Sequence, residues 1–318
     1  MYVGSVEALR ENMWVYDEGL KKMVMREVDY VPGLHKIYDE ILVNAADNKV
    51  RDPSQRFIKV DIDQKKNKIS ITNDGLGIPI EYHKEHNIYV PELIFGHMMT
   101  SSNYDDTSKN IVGGRFGFGA KLCNILSKEF TVETASSDKR KKLVQTWRDN
   151  MQIKDSVQIT DYKGKDYTKI TYTPDLKRLG VKTLTDDIVA VFKKRAYDVA
   201  GTTKGITVYL NGEKIPIDPK QPFKSYCELY LQDSSQLVYT IPDNSESKGR
   251  WEIGFAMSNH GFQQTSFVNS IGTKKGGQHI NVVLDQLIKQ IEVKVNKKKN
   301  DIKVKYLKLI YTTLSHAG

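Results

Sequence analysis

Residues 30–49, YVPGLHKIYDEILVNAADNK, form the stretch from which the rest of the chain can be understood. Apolar side chains recur in it every three or four residues, at Leu34, Ile37, Ile41 and Ala45. This period is typical of a helix with one buried face, and Pro32 is favoured in a first helical turn. The stretch therefore predicts a helix over residues 31–49.

Polar side chains follow a second line along this predicted helix, beside the apolar one. They are Glu40, Asn44, Asp47 and Asn48, at i, i+4, i+7 and i+8, so they share a face. A carboxylate can polarise a water molecule for attack, and an amide oxygen one turn later can hold Mg²⁺. Taken alone, the pattern is better explained as the solvated face of an amphipathic helix.

A glycine-rich turn, NDGLGIP at residues 73–79, follows a predicted strand. Asp74 at the end of that strand can accept a hydrogen bond from an exocyclic amine such as that of adenine. Gly75 and Gly77 let the backbone pass close to a flat ring. The alternative is an ordinary hairpin turn, which Asn-Asp-Gly favours by its turn chemistry.

A second glycine-rich segment, SSNYDDTSKNIVGGRFGFGAK, spans residues 101–121. Its glycines crowd just ahead of a predicted helix at 120–126, where backbone N–H groups, Arg115 and Lys121 would attract an anion. The spacing is not that of a P-loop, and a mobile loop is the alternative. Together the three segments offer a water-activating acid, a base-recognition site and a phosphate cradle, which is what ATP hydrolysis requires.

The remainder of the chain predicts an α+β fold of two domains. Alternating or β-branched segments predict strands at residues 57–62, 68–72, 130–135, 167–172, 206–210, 251–257 and 265–270. Asn211-Gly212 is a hairpin signal, and apolar periodicity predicts a further helix at 278–295. Prolines in a polar segment at 216–222 place the boundary, giving domains at 1–217 and 218–318.

The composition is that of a globular protein, with 39% hydrophobic and 27% charged residues. Two cysteines, Cys123 and Cys227, are too few for a secreted disulfide scaffold and favour a reducing compartment. We find no signal peptide, and no run approaches the roughly 18 apolar residues that span a bilayer. These features argue against secreted and membrane-spanning classes.

The positive charge is concentrated near the C-terminus. The net charge is +9, and residues 272–310 hold ten lysines against three acidic residues. Such a zone can neutralise phosphates and release their counterions, which points to a polyanion partner. On charge alone, a solvated surface is the simpler interpretation.

Three segments resemble the ATP-site motifs of the GHKL superfamily, whose members include gyrase, MutL repair proteins, heat-shock ninety chaperones and histidine kinases. They are residues 30–49, NDGLGIP at 73–79 and VGGRFGFGAKLCNILS at 112–127. Further segments are similar to the eukaryotic-type DNA topoisomerases II, a type IIA family: MYVGSVE (1–7), MWVYDE (13–18), REVDYVPGL (26–34), MMTSSNYDD (98–106), FTVETAS (130–136), KRAYDVAG (194–201) and FQQTSFVNSI (262–271).

The resemblance implies a role for each matched residue. Glu40 would be the general base for water attack on the γ-phosphate, Asn44 the Mg²⁺ ligand and Asp74 the adenine-binding acid. Lys297, Lys298 and Lys299 resemble a lysine loop that contacts DNA. The residues implied to bind the nucleotide are Asn44, Asp47, Asn48, Asp74, Gly75, Gly77, Ser101, Ser102, Asn103, Gly114, Arg115, Phe116, Gly117, Phe118, Gly119, Ala120 and Lys121.

The chain also departs from the family pattern. Phe116 stands where the family has Asn, which would weaken phosphate contacts. By comparison with the family, we expect the N-terminal strap to be largely absent, and these 318 residues contain no Gln-Thr-Lys triplet of the kind that reaches the γ-phosphate in the family. The residues after about Asn300 follow the family less closely. Without a DNA-cleaving tyrosine region, we expect a fragment that cannot itself break DNA.

The sequence thus predicts a GHKL (Bergerat) ATPase domain with a mixed sheet and helices on one face, followed by a truncated α/β transducer domain. The resemblance implies an ATP- and Mg²⁺-dependent gate that forms a homodimer around double-stranded DNA, in the nucleus. Two alternatives remain: a non-catalytic nucleotide- or DNA-binding module, and a chaperone or repair ATPase with the same site. The segment FQQTSFVNSI argues against the second alternative.

Overall fold

The computed structural model describes residues 3–97, 119–242, 251–257, 262–296 and 311–314. The helices are α1 (Pro32–Arg51), α2 (Val90–Gly96), α3 (Gly119–Ile125), α4 (Asp186–Thr202), α5 (Pro222–Glu228) and α6 (Gln278–Asn296). The strands are β1 (Leu9–Asp17), β2 (Lys22–Tyr30), β3 (Phe57–Asp63), β4 (Lys68–Asp74), β5 (Tyr82–His83), β6 (Ile88–Tyr89), β7 (Ser127–Ser136), β8 (Lys141–Arg148), β9 (Ile153–Lys154), β10 (Gln158–Asp161), β11 (Tyr167–Pro174), β12 (Thr207–Leu210), β13 (Glu213–Lys214), β14 (Val238–Thr240), β15 (Trp251–Phe255), β16 (Thr265–Val268), β17 (Ile271–Gly272) and β18 (Tyr311–Leu314).

The main sheet has nine strands in the order β10-β8-β7-β11-β4-β3-β12-β13, with β9 paired to β8. Its pairs are antiparallel except β3 with β12, which run parallel, so the predicted mixed sheet is confirmed. Strand β3 alternates buried Ile58, Val60 and Ile62 with exposed residues. One face of the sheet is therefore apolar and needs a covering layer.

Helices supply that layer. In α1 the predicted stripe of Leu34, Ile37 and Ile41 is buried, and the helix continues two residues past its predicted end at residue 49. Helix α4 packs beside it, with the ring of Tyr38 stacked 4.2 Å from that of Phe192. Sequence analysis missed α4, although a side-chain cap and apolar periodicity mark it. The predicted arrangement of helices on one face is confirmed.

An N-terminal hairpin, also missed, packs against α4. Strands β1 and β2 pair in register over nine residues each. Val15 and Val28 on these strands are buried together with Val191 of α4. The hairpin therefore packs against α4 through an apolar contact.

The predicted hairpin at Asn211-Gly212 is confirmed. Asn211 has φ 50° and Gly212 has φ 84°, the left-handed conformations that a type I′ turn between β12 and β13 requires. Asn269 and Ser270 behave in the same way, with φ 50° and 62°. Their turn ends β16 at Val268, so the strand predicted over 265–270 is two residues too long. Likewise, the strand predicted over 251–257 ends at Phe255.

The C-terminal part forms a smaller sheet, ordered β14-β15-β18-β16-β17. Ile280 and Val283 of α6 bury Ile253 of β15. Tyr226 of α5 joins the main core, where a Cβ on Gly201 would meet its ring. The two parts therefore share packed apolar surface. Within the described helices, none has the length and apolar character of a membrane span.

Candidate nucleotide site

Glu40 lies where α1 meets the start of α3. Its side chain is 19% exposed and forms an ion pair with Lys36, one turn earlier on α1. Its carboxylate and Cγ occupy the space that a Cβ on Gly119 would need. Glycine at the first position of α3 is thus what allows the carboxylate to approach the backbone. The structure brings together the first and third segments singled out in the sequence.

The other polar residues on this face of α1 divide into two groups. Asn44 is exposed one turn after Glu40, and Asp47 is half-buried. Asn48 instead donates its amide to the Gln55 side chain over 2.9 Å. Gln55 is fully buried and donates to the carbonyl of Ala45 over 2.9 Å. Asn48 thus helps to hold Gln55, in the segment after α1, against the helix. The sequence had suggested only a role in nucleotide binding for Asn48.

The Asp74 carboxylate accepts hydrogen bonds from the backbone at the start of β3. Its Oδ1 accepts the backbone N–H groups of Arg56 and Phe57, both over 2.8 Å. The Nε of Arg56 lies 3.5 Å from Oδ2. The carboxylate therefore holds the beginning of β3, and the predicted hydrogen bond to an adenine amine would compete with these contacts.

Asn73 is a residue that sequence reasoning missed. Because side chains alternate across a strand, Asn73 shares the face of Ile69 and Ile71, which is the face beneath the helices. It is 6% exposed and pairs across the sheet with Ile58 on one side and Thr168 on the other. The alternation of β4 is the signal that could have found it, but the turn chemistry of Asp-Gly drew attention to its neighbour.

The glycine turn after β4 is pressed against both the sheet and the end of α1. A Cβ on Gly77 would lie 2.6 Å from the carbonyl oxygen of Ala135, so only glycine fits there. Gly75 has φ 87°, and a Cβ on it would lie 2.5 Å from Oδ2 of Asp52. Both glycines hold the backbone close to protein groups on either side of the turn. Their predicted approach to a flat ring stays a prediction.

Asp52 at the end of α1 fastens this turn. Its two carboxylate oxygens accept the N–H groups of Ser54, over 2.9 Å, and Leu76, over 2.6 Å. Hydrogen bonds from the Ser54 hydroxyl and from the Leu76 N–H hold the pKa of Asp52 below its usual range. The turn is therefore tied to the same helix that carries Glu40.

Lys121 lies in α3, two residues after Gly119. The side chain is fully buried, and burial lowers the pKa of its ammonium group to about 8. Its neighbour Ala120 is buried as well. Asn124 of α3 donates to the carbonyl of Phe95 over 3.1 Å, which ties α3 to α2. Burial makes this positive charge costly to keep.

Several predicted site residues lie outside the described part of the chain. They are Ser101, Ser102, Asn103, Gly114, Arg115, Phe116, Gly117 and Phe118 of the glycine-rich segment, and Lys297, Lys298 and Lys299 of the basic zone.

A buried ionic network connects α1 to the C-terminal part. Arg195 of α4 donates Nε to Asp39 of α1 over 2.5 Å, and its Nη1 and Nη2 are buried without a partner among the described residues. One turn later, Asp198 accepts from the hydroxyl of Tyr226 in α5 over 2.6 Å. Burial lowers the pKa of His35, in the same region, to about 4. Helix α4 thus has polar contacts with both α1 and α5.

Comparison with known proteins identifies two matching families. The family described as "Histidine kinase-, DNA gyrase B-, and HSP90-like ATPase" matches residues 30–177. The family described as "DNA gyrase B" matches residues 222–309. The first match lies in the part that forms the main sheet, and the second lies in the C-terminal part.

Among relatives, the chain is 51% identical over 303 residues to DNA topoisomerase 2 of Drosophila melanogaster, covering 94% of this chain and 20% of that protein. It is 49% identical over 319 residues to DNA topoisomerase 2 of Saccharomyces cerevisiae, covering 95% of this chain and 22% of that protein. The chain thus spans about a fifth of the length of these relatives.

Solved structures give the same result. The crystal structure of the ATPase region of Saccharomyces cerevisiae topoisomerase II matches with a TM-score of 0.88 and 48% identity, over 98% of this chain and 81% of that one. The ATPase and transducer domains of DNA topoisomerase II from Balamuthia mandrillaris match with 0.87 and 46%, over 98% and 80%. The ATPase domain of Thermus thermophilus gyrase B, at 0.61 and 19%, over 89% and 76%, shares the fold.

Proposed function

This chain belongs to the DNA topoisomerase 2 family, as a part of its ATPase region, and we propose on that premise that it binds ATP with Mg²⁺ and hydrolyses it. The observation that carries the proposal is the approach of the Glu40 carboxylate to Gly119. It joins a candidate base on α1 to the start of the helix that follows the glycine-rich segment.

The described residues fit a magnesium nucleotide. Gly77 holds the turn after β4 against Ala135 of the sheet, where a Cβ would not fit. Lys121 is a buried cation two residues after Gly119 on α3, and Asn44 presents a neutral amide on the same face of α1 as Glu40. Together they supply a fixed turn, a positive charge and an oxygen ligand, which suit a bound triphosphate and its ion.

For hydrolysis we assign the roles along α1. Glu40 acts as general base and takes a proton from the attacking water, while its partner Lys36 holds the carboxylate in place. Asn44 would hold Mg²⁺ through its amide oxygen. When bound, this ion neutralises charge that develops on the phosphates. Lys121 would stabilise the same charge from α3.

For recognition of the adenine ring we propose Asn73 instead of Asp74, the residue that the sequence suggested. The Asp74 carboxylate accepts two backbone N–H groups, whereas Asn73 lies on the face beneath the helices. An amide can both accept from the exocyclic amine of adenine and donate to a ring nitrogen. Gly77, pressed against the sheet beside it, would let the backbone approach the ring.

For the whole protein we propose a gate with an ATPase domain at residues 1–217 and a transducer domain at 218–318. Two copies would dimerise on ATP binding and enclose double-stranded DNA, with Lys297, Lys298 and Lys299 contacting its phosphates in the nucleus. Helix α4 supports coupling between the domains, because its Arg195 contacts Asp39 of α1 and its Asp198 contacts Tyr226 of α5.

The direct test replaces Glu40 with Gln and uses Glu81→Gln as a matched control. Both changes remove one carboxylate charge, but Glu81 lies on the β5–β6 hairpin and pairs with Lys139 at 3.6 Å. We expect Glu40→Gln to retain nucleotide affinity and to lose hydrolysis by about 10²–10⁴-fold. Hydrolysis by Glu40→Gln at the parental rate would overturn the assignment of the base.

Two further measurements separate the gate from a non-catalytic module. Phosphate release per molecule should rise with protein concentration if two copies form the active unit, and should stay negligible for a binding module. Replacing Lys297, Lys298 and Lys299 with Ala should flatten the salt dependence of DNA affinity. An unchanged slope would leave these lysines as a solvated surface.

A further inference from the structure

A cluster of side chains that could bind a metal ion lies on the β5–β6 hairpin, and it includes none of the residues assigned to the nucleotide. His83, Glu85 and His86 place their ligand atoms within 4.8 Å of one another. The rings of the two histidines are 4.8 Å apart between centroids and tilted by 33°. No other part of the proposed function uses these side chains.

The backbone of the hairpin holds the cluster in place. Asn87 has φ 53° and completes the turn, and its carbonyl accepts the hydroxyl of Tyr82 over 2.7 Å. The rings of Tyr82 and Tyr89 meet edge to face at 5.4 Å. At the base of the hairpin, the N–H of Val90 bonds to the carbonyl of Glu81 over 2.9 Å. The turn is thus ordered before any ligand arrives, which lowers the entropy cost of binding.

The donor set favours one class of ion. Two imidazoles and one carboxylate suit divalent transition metals such as Zn²⁺, whereas Mg²⁺ and Ca²⁺ prefer sites made of oxygen ligands. Ligand atoms about 2.0–2.2 Å from Zn²⁺ lie roughly 3.3 Å from each other in a tetrahedron. Glu85 and His86 are exposed and His83 is half-buried, so small rotations of these side chains bring their ligand atoms to that spacing. The hydrogen bond from the N–H of His86 to Nδ1 of His83, at 3.4 Å, is long and easily exchanged.

We propose that His83, Glu85 and His86 bind one divalent transition-metal ion, with water completing its coordination. The hairpin leads directly into α2, which is anchored by the contact of Glu92 with Lys154 at 2.5 Å. A bound ion would therefore cross-link the three ligand side chains in the turn between β5 and β6, just before α2. This proposal is independent of ATP binding, because none of the three ligands belongs to the nucleotide site.

The test titrates Zn²⁺ into the tag-free chain without nucleotide, by calorimetry. We expect one saturable site per chain, and His83→Asn, His86→Asn and Glu85→Gln should each weaken it by at least the roughly 10–100-fold that loss of an outer-shell partner costs. Glu81→Gln is the control, since it removes the same charge from the same hairpin outside the cluster. Mg²⁺ at equal concentration should give no saturable binding.

Amide hydrogen exchange is a second measurement, and it distinguishes loss of Zn²⁺ binding from a folding defect in a variant. Zn²⁺ should slow amide hydrogen exchange across residues 82–96 in the parent and in Glu81→Gln, but not in His86→Asn. Zn²⁺ affinity unchanged in both histidine variants, or no saturation below about 1 mM, would overturn the proposal. An equal loss in Glu81→Gln and Glu85→Gln would also overturn it, because the effect would then be one of charge alone.

Discussion

Replacing Gly119 with Ala is expected to slow ATP hydrolysis without weakening the fold. The added Cβ would overlap the carboxylate and Cγ of Glu40, so the side chain must turn away. A misplacement of about 1 Å in a reacting group costs on the order of 10²-fold in rate. We therefore expect kcat to fall by about that factor, while alanine, a better helix former than glycine, costs no helix stability.

The assay combines phosphate release at saturating Mg-ATP, calorimetric binding of a non-hydrolysable analogue, and the thermal midpoint. Gly272→Ala is the matched control, because its Cβ would meet Phe267 only at an ordinary 3.8 Å. The expected result is a loss of kcat in Gly119→Ala alone, with an unchanged midpoint in both. Parental turnover by Gly119→Ala would refute the reasoning, and so would a midpoint that falls in step with the rate.

Three further predictions follow from the same geometry. Asp39→Asn leaves the Arg195 guanidinium buried with a weaker partner, so we expect a loss approaching the roughly 3–5 kcal/mol of a broken buried pair, measured by urea unfolding. Burial lowers the pKa of Lys121 to about 8, and a bound phosphate should raise it. Nucleotide binding near pH 8.5 should therefore take up a proton, seen by calorimetry in two buffers of different ionisation enthalpy and absent in Lys121→Gln. The pKa of Asp52 lies below its ordinary 3.8, so its hydrogen bonds stabilise the fold above that pH and are lost as the pH falls through the folded-state pKa. The stability deficit of Asp52→Ala should accordingly be full at pH 6 and shrink towards pH 2, whereas a constant deficit would contradict the assigned role.

Local features of this chain were predictable because local chemistry determines them. The apolar period of α1 and the Asn211-Gly212 turn depend on a few adjacent residues. Helix α4 is local in the same way, because Thr185 caps it by accepting the N–H of Ile188.

The rest of the site depends on residues that are distant in the sequence. Arg195 meets Asp39 across 156 positions, and no pattern near either residue announces the pairing. The approach of Glu40 to Gly119 is equally a product of packing between α1 and α3. Asn73 is an intermediate case, because strand alternation points to its face. Only the structure shows that the Asp74 carboxylate accepts two backbone N–H groups, while the Asn73 amide donates to the carbonyl of Asp74 over 3.0 Å.

The most direct measurement is a crystal structure of the chain with a non-hydrolysable ATP analogue and Mg²⁺. We predict the γ-phosphate beside Glu40 and Gly119, the ion on the amide oxygen of Asn44, and the adenine against Asn73. An analogue that fails to bind at saturating Mg²⁺, or that binds with its triphosphate away from Glu40, would contradict the proposed ATPase site.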